Sequence, residues 1–194
     1  MMKKTMKKVL IATTNKDKYK SFKSIFMASI FPQEKYLIQG LNDLNIKIND
    51  SIEVGSNIQR AKTKALNAKN TIKDFDYVVG IDIAILVKGQ AEPNIKNYIK
   101  DIIDGTYFKE NEKFYFSSAY CIIDKDDNCY EMVNDVPFVY KSNHNAIIKE
   151  HSYPLNQIAY PLKYDKCLDD LTIDEQSEYY LKYMKSDLEN LNIK

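Results

Sequence analysis

The stretch YVVGIDIAILV, Tyr77 to Val87, sets one carboxylate, Asp82, in an otherwise apolar run. A run this apolar reads as a central strand, buried on both faces. A carboxylate in such a place is costly unless it is paired, hydrogen-bonded or bound to a cation. Val78, Ile81, Ile83, Ile85 and Val87 supply apolar side chains of both parities, so Asp82 is not the outward residue of a simply alternating strand. The expected strand is Tyr77 to Ile81. Asp82 is then at or just beyond its end, facing a cleft, where α/β folds hold functional carboxylates. The alternative is an Asp that caps a turn after Gly80.

Working outward from this strand, the pattern alternates helix and strand. Upstream, Ile58, Ala61, Ala65 and Ala68 predict a helix over Asn57 to Asn70 with a narrow stripe of small residues, suited to close approach to a sheet. Val9 to Thr13 predicts a first strand. Phe22, Ile25 and Phe26 mark a helix over Lys16 to Ser29, with Asn15 as N-cap. Lys35 to Gln39 predicts a second strand, and Asn45 to Asn49 a further short segment. Downstream, Asn94 to Ile103 reads as a short helix after Pro93. Lys113 to Ile123, with Phe114, Phe116, Ser118, Tyr120 and Ile122 on one parity, and Cys129 to Val133 read as a hairpin around the charged turn Asp124 to Asn128. Pro137 to Tyr140 is a further candidate strand, and Ser142 to Pro161 has no clear pattern. A last helix runs from Ile173 to Leu191, with a Thr172/Glu175 capping box and Leu181, Met184, Leu188 and Leu191 as its apolar stripe. This order predicts an α/β fold: one mixed twisted central sheet flanked by helices, in a single domain of 194 residues, with the middle hairpin extending one edge.

Composition excludes more than it assigns. The 28 basic and 27 acidic residues leave a net charge of +1, which gives no support to a broad nucleic-acid surface. The apolar run near the start, Val9 to Ala12, is too short for a signal segment or a membrane span, and no run of 18 apolar residues occurs. The expectation is a soluble, cytoplasmic protein with neither nucleic acid nor membrane as partner. Cys121, Cys129 and Cys167 lack the CxxC spacing, which argues against a disulfide framework and a cysteine-based zinc site. His144 and His151 lack HExxH spacing and read as surface or structural residues.

Two polar clusters are candidates for chemistry. Thr13, Thr14, Asn15, Lys16, Asp17 and Lys18 occupy the first strand-to-helix junction, where helix N–H groups, hydroxyls and lysines can seat a phosphate. Lys18, in the first helical turn, is the better phosphate ligand of the two lysines. The glycines of a Walker A loop are missing, and an ordinary helix cap with solvated lysines is the alternative. The second cluster is Glu53, Val54, Gly55, Ser56, Asn57, Ile58 and Gln59. Ser56 or Asn57 caps the helix. Glu53 is either a surface residue or a partner of Asp82 in holding Mg2+ against polyphosphate oxygens.

At this point the sequence resembles the inosine triphosphate pyrophosphatase family. VLIATTNKDKYKSF looks like the family's opening strand and its S/T-x-N-x-x-K loop, EVGSNIQRAKTKALNA like its E-x-G segment and following helix, and VVGIDIAILVKG like the strand leading to its D-D-S-G-L motif. The resemblance implies hydrolysis of a nucleoside triphosphate to the monophosphate and pyrophosphate. It implies phosphate binding by Thr13, Thr14, Asn15 and Lys18, with Lys62 and Lys64 extending the positive field. It also implies Mg2+ bound by Glu53, Gln59 and Asp82, catalysis by Asp82 and Lys18, and a homodimer. Five departures stand out, one being Gln176 where the family has a later Lys. Gln59 replaces a metal-binding Glu, and Ile81 an acidic residue. The base-binding segment F-G-Y-D-P reads Ile158-Ala159-Tyr160-Pro161-Leu162, and the S-H-R triplet falls near Glu178-Tyr179-Tyr180. They open a second reading, a weak or inactive relative that binds a nucleotide or a protein.

Overall fold

The computed structural model describes residues 6–48, 54–87, 89–92, 94–143 and 154–193, with only the backbone at 87. Among them, seven strands form one sheet in the order β2-β1-β3-β5-β6-β7, with β4 paired to β3. The strands are β1 (Lys7–Ala12), β2 (Tyr36–Gly40), β3 (Tyr77–Val87), β4 (Gln90–Glu92), β5 (Lys113–Asp124), β6 (Cys129–Tyr140) and β7 (Ala159–Pro161). The helices are α1 (Lys16–Met27), α2 (Asn57–Thr71), α3 (Ile99–Ile103) and α4 (Ile173–Asn190). β2, β1 and β3 run parallel, and β5 turns the sheet antiparallel. The predicted mixed sheet with flanking helices is the observed one.

β3 is longer than expected. It continues through Asp82 to Val87, so Asp82 lies in mid-strand and not at a strand end. The reason is β5, which pairs with β3 from Tyr77 to Leu86 and gives the whole length a partner. β1 stops earlier: its last pairing is Ala12 with Gly80, while β4 takes up β3 again at Ile85. Ile81 to Ala84 therefore border a notch in the sheet, between the end of β1 and β4.

The two faces of β3 enter two separate cores. Tyr77, Val79, Ile81, Ile83 and Ile85 join Phe22 and Phe26 of α1 with Tyr179, Tyr180, Met184 and Leu188 of α4. The parity shared by Phe114, Phe116, Tyr120 and Ile122 of β5 lies in this core, as the alternation predicts. The ring of Phe22 meets that of Tyr120 edge-on at 5.3 Å, and Tyr120 donates to Met184 Sδ at 3.3 Å. On the other face, Val78 packs with Leu10, Ala12, Ala119 and the alanines of α2. Gly80 is the point of closest approach. A Cβ there would lie 1.9 Å from the Ala61 carbonyl oxygen and 2.7 Å from the Ala65 nitrogen. Gly80 thus admits a helix and does not break the strand.

The remaining differences are local. Asn45 to Ile48 form no strand, and Asn49 lies outside the described residues. The segment after residue 93 divides into a 3-10 turn, Ile95–Asn97, and α3. Pro137 to Tyr140 is the end of β6 and not a separate strand, and the hairpin supplies the sheet's second half, with β7 at its far edge. Part of the unassigned segment becomes a 3-10 turn, Pro154–Gln157, followed by β7; residues 144–153, including both histidines, lie outside the description. α4 is turned relative to its predicted stripe. It buries Gln176, Tyr179, Tyr180, Met184 and Leu188, while Leu181 and Leu191 are only partly covered. Tyr179 can face inward because its hydroxyl finds partners in the Pro137 carbonyl and the Leu162 N–H. Thr172 and Glu175 form the expected capping box. Thr172→Ala is expected to lower unfolding stability by about 1 kcal/mol in urea titration, through loss of that cap.

Candidate functional site

The notch beside Ile81 to Ala84 lies at the end of β1, where the chain passes through the first polar cluster into α1. β1 ends at Ala12, and the chain turns through Thr13 and Thr14 into α1. Thr13 is buried, and its Oγ1 accepts from the Asn15 N–H at 3.3 Å. Asn15 is the N-cap: its Oδ1 accepts from the Lys18 N–H at 2.8 Å. This leaves Asn15 Nδ2 to donate outward. Asn42, from the turn after β2, donates to the Thr14 carbonyl at 3.1 Å and fixes the loop from its other side. A helix N-terminus directed at the end of a parallel strand is a suitable place for an anion.

Lys18 borders a crevice on the α1/α4 face. Asp17, Ser21, Phe22, Ile83, Asn156 and Tyr180 are among its other walls. The crevice has about 20 Å3 of space, room for little more than a water. Burial pushes the Tyr180 hydroxyl well above its ordinary pKa and keeps it neutral. Ser21 Oγ donates to Gln176 Oε1 at 2.8 Å, and Gln176 Nε2 donates to the Leu168 carbonyl at 2.8 Å. Gln176 thus ties α1 to α4 and to the chain before α4.

Asp82 points the other way, toward α2, and is 5 % exposed. Its Oδ1 accepts from Lys64 Nζ at 2.5 Å. Its Oδ2 is buried without a hydrogen-bond partner among the described residues. Lys18 thus lines a crevice with Ile83 on one face of β3, while Asp82 faces α2 on the other. The unmatched oxygen is the observation that fits a hard cation. Mg2+ usually takes one or two protein carboxylates and completes its shell with phosphate oxygens and water.

Of the other predicted ligands, Gln59 is engaged elsewhere. Gln59 is exposed, on the side of α2 away from the sheet, and its Oε1 accepts from the Ser56 N–H at 2.9 Å as part of a capping box. Its two lone pairs are engaged there, since Ser56 Oγ also lies 3.2 Å away. Gln59→Glu is accordingly expected to preserve the helix and leave the Mg2+ dependence of any turnover unchanged, as a metal titration would show. Lys62 is exposed and pairs with Glu131 of β6 at 2.7 Å, away from the notch. Glu53 lies outside the described residues.

Three further residues complete the surroundings, and of the two cap candidates Ser56 is the N-cap, not Asn57. Asn57, at the start of α2, donates to the Ser117 carbonyl at 3.0 Å and pins the helix to β5. Arg60 is buried and donates to the Gly55 carbonyl at 3.0 Å and to Asn94 Oδ1 at 2.7 Å. It joins the turn before α2 to the segment after β4. Its sequence signal was weak: the chain's single Arg, in a helix rich in lysine. Asp43 braces the β2 turn through the Tyr19 hydroxyl and the Gly40 N–H. Burial opposes its ionisation, but those two donors and Lys23 hold its carboxyl below the usual range.

No protein-family model matches the sequence, and no curated protein matches it. Solved structures do match its shape. The Ham1 protein of Staphylococcus aureus is 17% identical with a TM-score of 0.54, over 95% of this chain and 94% of that one. A HAM1 protein from Coxiella burnetii is 11% identical with a TM-score of 0.62, over 96% and 98%. A nucleoside-triphosphatase, dITP/XTP pyrophosphatase, from Mycobacterium abscessus is 13% identical with a TM-score of 0.52, over 96% and 100%. Among the described residues no helix is long and apolar enough to cross a membrane. The architecture built up from β3 outward is thus the Ham1 fold, inosine triphosphate pyrophosphatase-like, across nearly the whole chain.

Proposed function

We propose that the chain is a Mg2+-dependent nucleoside triphosphate pyrophosphohydrolase, acting on non-canonical purine nucleotides at the notch in β3. The observation that carries this reading is the buried Oδ2 of Asp82, without a hydrogen-bond partner among the described residues, in the stretch of β3 left unpaired on that edge between the end of β1 and β4. The Ham1 fold of nucleotide pyrophosphatases supports it.

In this reading the triphosphate crosses the notch. Lys18, Asn15 Nδ2 and the hydroxyls of Thr13 and Thr14 bind its phosphates from the α1 side. Asp82 is the described residue that would hold Mg2+, with Glu53 as a second carboxylate, and the ion would neutralise charge on the phosphates. Lys64 fixes the orientation of the Asp82 carboxylate. Water attacks the α-phosphorus and gives its proton to Asp82. The bond from the α-phosphorus to the bridging oxygen breaks, and pyrophosphate leaves with that electron pair. A homodimer and a cytoplasmic location belong to the same proposal.

The test is pyrophosphate release from inosine, xanthosine and guanosine triphosphates across a Mg2+ titration. Lys18→Ala is expected to raise KM for the triphosphate by roughly tenfold or more, the weight of a lost charged hydrogen bond. Equal KM in both proteins at fixed salt and Mg2+ would remove the phosphate seat. One observation favours the second reading, binding without hydrolysis: Asp82 is already engaged by Lys64. Nucleotide binding without pyrophosphate release from any member of the panel would establish it.

A further inference from the structure

The β5–β6 hairpin carries a side-chain cluster that the nucleotide reading does not use. Cys121 and Cys129, both free, bring their sulfurs to 3.0 Å. Cys129 Sγ lies 3.6 Å from Glu131 Oε1, and the three ligand atoms all fall within 4.8 Å of one another. Linear spacing gave no sign of this, because the pairing comes from strand register. Cys121 stands opposite Glu131, and Cys129 opposite Ile123. The two cysteines are thus diagonal neighbours on one face of the hairpin. The turn between them is held by Asp124, whose Oδ1 accepts from the N–H groups of Asp126 and Asn128, each at 2.9 Å.

Two chemistries suit paired thiols, and register separates them. Diagonal neighbours on antiparallel strands stand roughly 7–8 Å apart. A disulfide requires Cα atoms within about 4.4–6.8 Å. A shared cation tolerates the wider spacing. With metal–sulfur bonds of about 2.3 Å, two thiolates on one tetrahedral ion lie roughly 3.7 Å apart, so the sulfurs need open only slightly. Charge also balances. Two thiolates and the Glu131 carboxylate carry three negative charges. A dication and the Lys62 ammonium, 2.7 Å from Glu131, carry three positive ones. Cys121 is buried and Cys129 exposed, so an ion would be anchored from the core and reached from solvent.

We propose that Cys121, Cys129 and Glu131 form a site for a thiophilic divalent cation of the zinc class, with Lys62 as counter-charge and water as fourth ligand. Each thiol loses its proton to solvent as its bond to the ion forms, and no electrons are transferred. Thiolate with carboxylate is a donor set for zinc and its congeners, not for Mg2+. The site is independent of the notch and of any turnover there.

The experiment is a Co2+ titration of the full-length, reduced, chelator-treated protein, read by thiolate-to-cobalt charge-transfer absorption, followed by displacement with Zn2+. The wild type is expected to show the band and lose it when Zn2+ is added. Cys129→Ser should abolish the band, Glu131→Gln should weaken Co2+ binding at least tenfold, and Cys167→Ser should change nothing. Cys129 and Glu131 are exposed, so both variants should keep the wild-type circular dichroism spectrum. Absence of the band in the wild type, its persistence in Cys129→Ser, or its loss in Cys167→Ser would overturn the proposal. So would conversion of the reduced pair to an internal disulfide, seen as a mass loss of two hydrogens, in place of metal binding.

Discussion

Asp82→Asn is expected to reduce Mg2+-dependent pyrophosphate release by roughly a hundredfold or more, the scale on which a proton-accepting group contributes. It is also expected to destabilise the protein. Asp82 is buried against Lys64, and removing one charge of such a pair strands the other, at a cost of about 3 kcal/mol. A single variant therefore mixes two effects. The double variant Asp82→Asn/Lys64→Gln separates them. It should recover most of the lost stability, because neither charge is then stranded, and recover none of the turnover. Urea titration and pyrophosphate release on the same preparations give both readings. Full turnover per folded molecule in Asp82→Asn would make the residue a structural partner of Lys64 and nothing more.

Gly80→Val is expected to prevent native folding altogether. The first added carbon would lie 1.9 Å from a helix carbonyl oxygen, and the obstacle is backbone on both sides. No side chain can rotate away. Relief requires moving the whole of α2 off the sheet, which would expose Ala61, Ala65 and Ala68. Gly80→Ala is the graded version. It should cost about 3 kcal/mol or more, at the upper end of overpacking penalties. Chemical denaturation with circular dichroism measures both. A Gly80→Ala protein within about 0.5 kcal/mol of wild type would show that the helix rides further from the strand than described here, since only substitutions away from packed features stay in that range.

The fold was readable because its signals are local and redundant. The alanine stripe of α2, the Asn15 and Thr172 caps and the alternation in β5 each specify one element without help from the others. What the sequence concealed depends on partners distant in the chain. The length of β3 is set by β5, some forty positions later, so a strand reading that stopped at Asp82 lacked the evidence to continue. Asp82 looked misplaced in an apolar run because its neutralising cation, Lys64, belongs to a different element. Gln59 looked like a replaced ligand because alignment assigns a position but not a direction. The structure turns its amide back on Ser56. Lys62 and the cysteine pair show the same limit: each has its partner across the β5–β6 register or on a neighbouring layer, where spacing along the chain carries no information.

The contact between α2 and β3 also bears on how the notch adjusts to what enters it. At Gly80 the strand contributes no side chain between itself and the helix backbone to act as a cushion. The helix cannot yield by small rotamer changes, so Lys64 is held at a fixed depth. The opposite wall is built from Phe22, Tyr180 and the Gln176 tie, whose long side chains have torsions to spend. The two sides of the opening are therefore unequal: one is an anvil, the other upholstery. Differences in molecular shape will be absorbed on the α1/α4 side, while the α2 side imposes a distance that every occupant must meet.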